Sequence, residues 1–445
     1  MKHDHTTWTV SKIAPAAVAI LVIAGAPQPV VAVPAAISLK QQVHSLPTIA
    51  GRGVALADFN GDGRLDAFLV GDNTPESHGH RVFFGDGHGR LSDSGQILEH
   101  ASAFTHRPAV GDVDRDGDVD VVVSGSVWIN NGRGRFSVQD ERIAGGELAM
   151  TAVALADVDR NRSGDLVVVD RWKTLRVFLN DGTGHFCDSG QRLDLGAEAG
   201  SPVIANIALA DLDGDGAIDV VTTGWRNNAT DACPNRVWLN DGHGHFHNTG
   251  ELLDEGRRHV HGVAIGDLDG DGRLDVALAL TAPGEAGKIY LNRGGARFRD
   301  TGQKLGDRWA HAIALGDFNA DGALDVFLAC GDPKPGTPNQ VWLNDGAGHF
   351  TDSGLRLAQA FSWDVALGDL DGDGRLDAFV ANLRLADDSK MPPVFGGAAA
   401  EVWLNRTSVP APARNGERQS NSVVDRSTAA GRPDPQGKSP AENSK

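Results

Sequence analysis

The stretch DLDGDGRLD, from Asp267 to Asp275, decides how this chain folds. It returns unchanged from Asp369 to Asp377 and as DLDGDGAID from Asp211 to Asp219. DFNGDGRLD (Asp58 to Asp66), DVDRDGDVD (Asp112 to Asp120) and DFNADGALD (Asp317 to Asp325) differ only at permissive positions, and DVDRNRSGD (Asp157 to Asp165) is a worn copy. Carboxylate or carboxamide oxygens stand at positions 1, 3, 5 and 9, and glycine stands at position 6 in every copy but the worn one. Several hard oxygen donors on one short loop suit a hard divalent cation, calcium above all. Glycine lets the chain turn sharply, so that donors on either side face one centre. An acidic surface turn is the alternative, since Asp and Gly are ordinary turn residues. Six good copies with fixed spacing weigh against it.

The expected calcium ligands follow loop by loop. They are Asp58, Asn60, Asp62 and Asp66; Asp112, Asp114, Asp116 and Asp120; and Asp157, Asp159, Asn161 and Asp165. They continue as Asp211, Asp213, Asp215 and Asp219; Asp267, Asp269, Asp271 and Asp275; Asp317, Asn319, Asp321 and Asp325; and Asp369, Asp371, Asp373 and Asp377. The position-7 carbonyl is the expected fifth ligand. In the third loop Arg162 replaces the glycine and Asn161 removes a charge, so that site is expected to bind weakly or not at all.

The flanks exclude a helix–loop–helix calcium site, which needs a bidentate Glu at position 12. Leu69 and Leu278 stand there instead. Short runs such as VALAD and DAFLV on either side read as strands, so each loop joins two strands.

A second motif falls within each period: RVFFGDGHGRLSDSGQ from Arg81, VWINNGRGRFS from Val127, RVFLNDGTGHFCDSGQ from Arg176 and RVWLNDGHGHFHNTGE from Arg236. It continues as IYLNRGGARFRDTGQ from Ile289, VWLNDGAGHFTDSG from Val341 and VWLNRTS from Val402. Each copy opens as an alternating strand, and Asn-Asp-Gly supplies residues that tolerate positive φ, the mark of a tight hairpin. One period of 45 to 56 residues therefore holds four strands. That pattern is a propeller blade. The expected fold is all-β, a seven-bladed β-propeller of four-stranded antiparallel blades over residues 37–405. The last repeat stops at Asn405, one strand short, and Ile37 to Leu46 is expected to supply that strand and close the ring.

The remaining composition adds context. Of 445 residues, 40% are hydrophobic and 22% charged, with a net charge of −18 carried mostly by the seven loops. No basic stripe marks a nucleic-acid partner. Residues 1–36, with Lys2, Lys12 and the apolar run Ala14 to Ala26, read as a secretory signal peptide. No other stretch reads as a membrane span. Residues 406–445, poor in large apolar side chains, read as a disordered tail. Cys187, Cys233 and Cys330 form no disulfide framework and read as isolated thiols.

With these motifs the chain resembles the FG-GAP/VCBS repeat family, whose calcium-loop propeller also forms the head of integrin α subunits. The likeness covers residues 37–405 and is closer to bacterial secreted VCBS-type proteins. The literal FG…GAP signature is poorly kept, and no leg domains follow. The resemblance implies calcium sites and a binding function, without fixing a ligand.

Strand order places the aspartate loops and Asn-Asp-Gly turns on one face, and the variable loops and blade links on the other. Variable loops on a rigid scaffold are where binding usually lies. Trp172, Trp225, Trp309 and Trp363 fall there, three with Arg or Lys beside them, and are candidate ligand contacts; core caps are their plainer role. Arg52, His106, Thr151, Ala205, His261, His311 and Trp363 each stand six residues before a loop, near the channel mouth. His261 and His311, on adjacent blades, could share a transition metal or act as acid and base; polar lining is the plainer role. No nucleophile elbow, P-loop, dinucleotide fingerprint or HExxH occurs. The expectation is a secreted, extracellular or periplasmic, monomeric binding or adhesion module for a glycan or cell-surface protein, with no catalytic residues. The alternatives are a polysaccharide-active or other hydrolytic or lyase enzyme on this scaffold, or a scaffold subunit of a surface complex.

Overall fold

Second strands such as Asp66–Gly71, Asp219–Gly224 and Asp325–Cys330 are buried end to end. A strand that is apolar on both sides must be covered on both sides, and radial packing of like sheets does this. The computed structural model describes residues 37–408 apart from 44–45, 72–78, 100–106, 140–142, 144–149, 171–172, 196–204, 225–234, 255–258, 283, 308, 332–336, 359 and 388–393. Over these residues it is all-β, and seven antiparallel sheets form a seven-bladed propeller.

Blade 1 runs Gly51–Ala57, Asp66–Gly71, His80–Gly85 and Leu91–Leu98; blade 2 runs Ala109–Gly111, Asp120–Val123, Ser126–Asn130 and Phe136–Val138. Blade 3 runs Met150–Ala156, Asp165–Asp170, Thr174–Asn180 and Phe186–Asp188, and blade 4 Ala205–Ala210, Asp219–Gly224, Asn235–Asn240 and Phe246–Leu253. Blade 5 runs Val260–Gly266, Asp275–Ala282, Glu285–Asn292 and Phe298–Asp300, and blade 6 Ala310–Gly316, Asp325–Cys330, Asn339–Asn344 and Phe350–Leu357. Blade 7 has Phe361–Gly368, Asp377–Asp387 and Glu401–Asn405, completed by Leu39–Gln42. That N-terminal strand pairs antiparallel with the third strand, Leu39 opposite Asn405 and Gln42 opposite Val402, as the missing strand required. Two short additions were not foreseen: Leu193–Asp194 on blade 3 and Val394–Gly397 on blade 7.

The innermost strands touch in a closed ring, blade 7 against blade 1. The core lies between blades: seven of the hydrophobic clusters each join two neighbours, from blades 1 and 2 (Phe59, Phe68, Trp128) round to blades 7 and 1 (Phe379, Val402, Phe83). Loop position 2 feeds these seams, since Phe59, Val113, Val158, Leu212, Leu268, Phe318 and Leu370 are all buried.

The Asn of the Asn-Asp-Gly turn has a larger part than the sequence suggested. Its backbone is not left-handed; the positive φ falls on the glycines, Gly242 and Gly244 in blade 4 for example. Its side chain ties blades together instead. Asn240 Nδ2 donates to the Val158 carbonyl of blade 3 (2.8 Å) and to Ile218 O of its own blade (3.0 Å), while Oδ1 accepts from the Gly242 and Gly244 amides. Asn130, Asn180, Asn292, Asn344 and Asn405 reach back to the preceding blades in the same way. Blade 1 has Gly85 there, where a Cβ would stand 2.1 Å from the Leu65 carbonyl, and Leu370 O accepts from Gly89 N–H instead. A second clip runs forward from the fourth strand. Gln303 donates to Gly348 O (2.6 Å) and accepts from Phe350 N–H (2.8 Å) of the next blade. Gln96 and Gln191 do likewise, and Glu251 accepts from Phe298 N–H.

Candidate metal centres

Each aspartate loop is shaped by its own side chains before any ion is considered. In the blade 5 loop, Asp267 accepts from the Gly270 and Asp271 amides on one oxygen and from Gly272 on the other, and Asp271 accepts from Arg273 N–H. The same Asx turns recur in the other loops. Positions 4 and 6 are left-handed throughout. In the worn loop both are arginine, Arg160 at φ 63° and Arg162 at φ 72°, so that loop keeps the shared backbone against the steric preference of its side chains.

Position 9 does more than present a carboxylate. Asp219 is buried; one oxygen accepts from Leu212 N–H (2.8 Å) and the other from Asn240 N–H (2.9 Å) at the end of the third strand. Asp66, Asp120, Asp165, Asp275, Asp325 and Asp377 make the same two links. Burial pushes these carboxyls up, to about 6 for Asp66 and Asp377 and about 7 for the other five, against the backbone amides that oppose the shift.

Several loops gather carboxylates closely enough for one ion. Among the described residues, single oxygens of Asp112, Asp114 and Asp120 lie within 4.8 Å of one another. So do those of Asp157, Asp159 and Asp165; of Asp211, Asp213 and Asp219; of Asp267, Asp269 and Asp271; and of Asp369, Asp371 and Asp377. One oxygen each of Asp269 and Asp371 is buried with no hydrogen-bond partner. A buried, unpartnered carboxylate oxygen is costly, and a hard cation would satisfy it. Burial and then the Asp271 charge push Asp269 up; burial and then Asp321 act alike on Asp317. The donor set therefore fits calcium. Arginines partly offset this charge: Arg273 pairs with Asp271, Arg375 with Asp373, and Arg406 with Asp371 (2.5 Å) and Asp373 (2.9 Å). The worn loop is occupied differently: Arg115 of blade 2 donates to Asn161 O and Ser163 Oγ, and Asn161 itself bonds Asp159 and Asn180 O.

The opposite channel mouth gathers the residues six before the loops, and the reason is a β-bulge. The register between first and second strands skips Arg52, Thr151, His261, His311 and Trp363, one in each of five blades. A bulge leaves its extra residue unpaired and re-aims the side chain. Four of them form a row across blades 5, 6, 7 and 1. His261 meets His311 edge-on, His311 stacks on Trp363 (4.6 Å between centroids), and the Arg52 guanidinium lies 5.2 Å from the Trp363 ring. Phe361 stacks there too, so the Trp363 ring is engaged within the molecule. Burial holds His311 down, to about 4. Trp309 is half-buried and its carbonyl accepts from Gly331 N–H. Trp172, Trp225 and His106 lie outside the described residues, as do residues 1–36 and 409–445. Below the row runs a channel of 1120 Å³, lined mainly by aliphatic residues of the innermost strands such as Leu56, Leu155 and Ile265. An ion pair of half-buried Arg107 with buried Asp364 (2.8 Å) lines it, and Asp364 also accepts from Val54 N–H. Cys330 is buried, Cys187 is exposed, and Cys233 lies outside the described residues.

No curated protein sequence matches this chain significantly. A crystal structure described as BBS1N in complex with ARL6DN, soaked with mercury, is similar in shape over 84% of this chain and 97% of that one, at 11% identity and a TM-score of 0.49. The family model for the FG-GAP-like repeat matches residues 58–123, 157–222, 211–278 and 317–380, more than half of the sequence and all seven aspartate loops. By its seven aspartate-loop blades and that match, the chain belongs to the FG-GAP-like repeat family.

Proposed function

We propose that this protein is a secreted, calcium-binding, non-catalytic binding or adhesion module. Its ligand is a glycan or cell-surface protein held on the face opposite the aspartate loops. The observation that carries the reading is the division of labour between the two ends of each blade. At one end the loops repeat the same donor set and bury carboxylate oxygens that a cation would satisfy. Calcium there neutralises the clustered carboxylates and ties positions 1, 3, 5 and 9 together, a structural role. At the other end the bulges aim different side chains, Arg52, Thr151, His261, His311 and Trp363, from blade to blade. A rigid scaffold with a variable rim is suited to recognition.

The test is a screen of purified protein against a glycan array and a panel of cell-surface proteins, in calcium and in excess chelator. Binding that requires calcium and is lost in the Trp225→Ala, Trp309→Ala, Trp363→Ala variant is the expected result. Binding retained by a folded variant would place the ligand elsewhere. Turnover of a polysaccharide by the chain would show an enzyme instead.

A further inference from the structure

We propose that His261 and His311 form a binding site for a tetrahedral divalent transition ion, Zn²⁺ in the first place, at the channel mouth between blades 5 and 6. The site is separate from the aspartate loops in position and in donor chemistry.

Four observations carry it. First, both histidines are the extra residue of a β-bulge at the same position of adjacent innermost strands, so the fold aims both imidazoles at one place. Second, their Nδ1 atoms face each other at 3.4 Å. That exceeds the usual ~2.7–3.2 Å of a nitrogen-donated hydrogen bond. Two nitrogens 3.4 Å apart, each at the ~2.05 Å of a zinc–imidazole bond, subtend about 112° at the ion, close to a tetrahedral angle. Third, the outer nitrogen of His311 is already committed: Nε2 lies 2.9 Å from the Gly331 carbonyl. Donation there fixes the tautomer that leaves the Nδ1 lone pair facing His261, the support that metal-bound histidines usually have. Fourth, His311 is stacked on Trp363 at 15° between planes and packed on Phe361, so its ring is held before an ion arrives. Imidazole nitrogen favours a borderline transition ion over calcium, so the two kinds of site divide the metals between them. With two protein ligands named, the other positions go to water or to an incoming oxygen or nitrogen ligand, which would give the channel mouth a Lewis-acidic anchor.

The experiment uses the full chain in saturating calcium, so that the aspartate loops hold their preferred ion. Co²⁺ is titrated in and followed by visible absorption, where tetrahedral cobalt gives intense bands, and Zn²⁺ is then added to displace it. One equivalent of tetrahedral Co²⁺, displaced by one of Zn²⁺, is expected in the wild type and absent in His261→Gln and in His311→Gln. His261 is half-exposed, so His261→Gln is the variant expected to keep the wild-type melting temperature in calcium. X-ray absorption on the zinc-loaded wild type, which needs no variant, is expected to count two imidazoles. The proposal is overturned if the wild type shows no tetrahedral cobalt, if either folded variant keeps it, or if the zinc shell contains only oxygen.

Discussion

Replacing Asn240 with alanine removes four side-chain hydrogen bonds at the seam between blades 3 and 4. Nδ2 loses the Val158 and Ile218 carbonyls, and Oδ1 loses the Gly242 and Gly244 amides. The side chain is almost wholly buried, so water cannot simply replace it. At about 1 kcal/mol net for each bond, the loss is about 4 kcal/mol. For a domain of about 370 residues the unfolding entropy near the melting point is roughly 0.8 kcal/mol/K, so the melting temperature should fall by about 5 °C. Differential scanning calorimetry in saturating calcium measures this without varying loop occupancy. The neighbour Asp241→Ala is the control. Its carboxylate accepts from the exposed His243 and His245 amides and spans no seam, so it should shift melting by about 1 °C. A shift for Asn240→Ala no larger than the control's would refute the assignment of these asparagines as the ties between blades.

Three further outcomes follow from the loops. Excess chelator should lower the melting temperature and added calcium restore it, because an ion bound only to the folded state stabilises by mass action; an unchanged melting curve would mean that the Asx turns alone hold the loops. In chelator the position-9 carboxyls sit above the ordinary aspartate value, at about 6 to 7, so the folded state holds their protons more tightly than the unfolded chain. Their contribution is full below the unfolded value of about 3.9 and is lost as pH rises through 6 to 7, so chelated protein should melt higher at pH 5 than at pH 8. Calcium should reverse that order, since metal binding needs the ionised form; chelated protein that melts highest at pH 8 would contradict this. Arg162→Gly should raise calcium affinity at the Asp157 loop by relieving a left-handed arginine of about 1 kcal/mol, seen in calorimetry as a stronger seventh site; an unchanged isotherm would put the weakness in Asn161 or in the Arg115 contact instead.

What the sequence determined by itself was everything periodic and local. Donor spacing marked the loops, alternation marked the strands, and seven periods with one strand missing required a ring closed by residues near Leu39. These follow from chain geometry within ten or so residues, where side-chain period and turn chemistry leave few choices. Tertiary structure alone decided which side chains meet within a blade and across the seams. Asp219 is bound to Asn240 across 21 residues, Asp120 to Asn130 across 10 and Asp377 to Asn405 across 28, because a variable loop intervenes. No fixed spacing could pair them. The Asn read as a turn former proved to be a tie to the preceding blade, since its amide points out of its own sheet. The row His261, His311, Trp363 and Arg52 was legible as four residues at one position of four repeats. Only the bulges, which follow from how each innermost strand pairs with the second strand of its own blade, turned those side chains onto one another at the mouth of the channel.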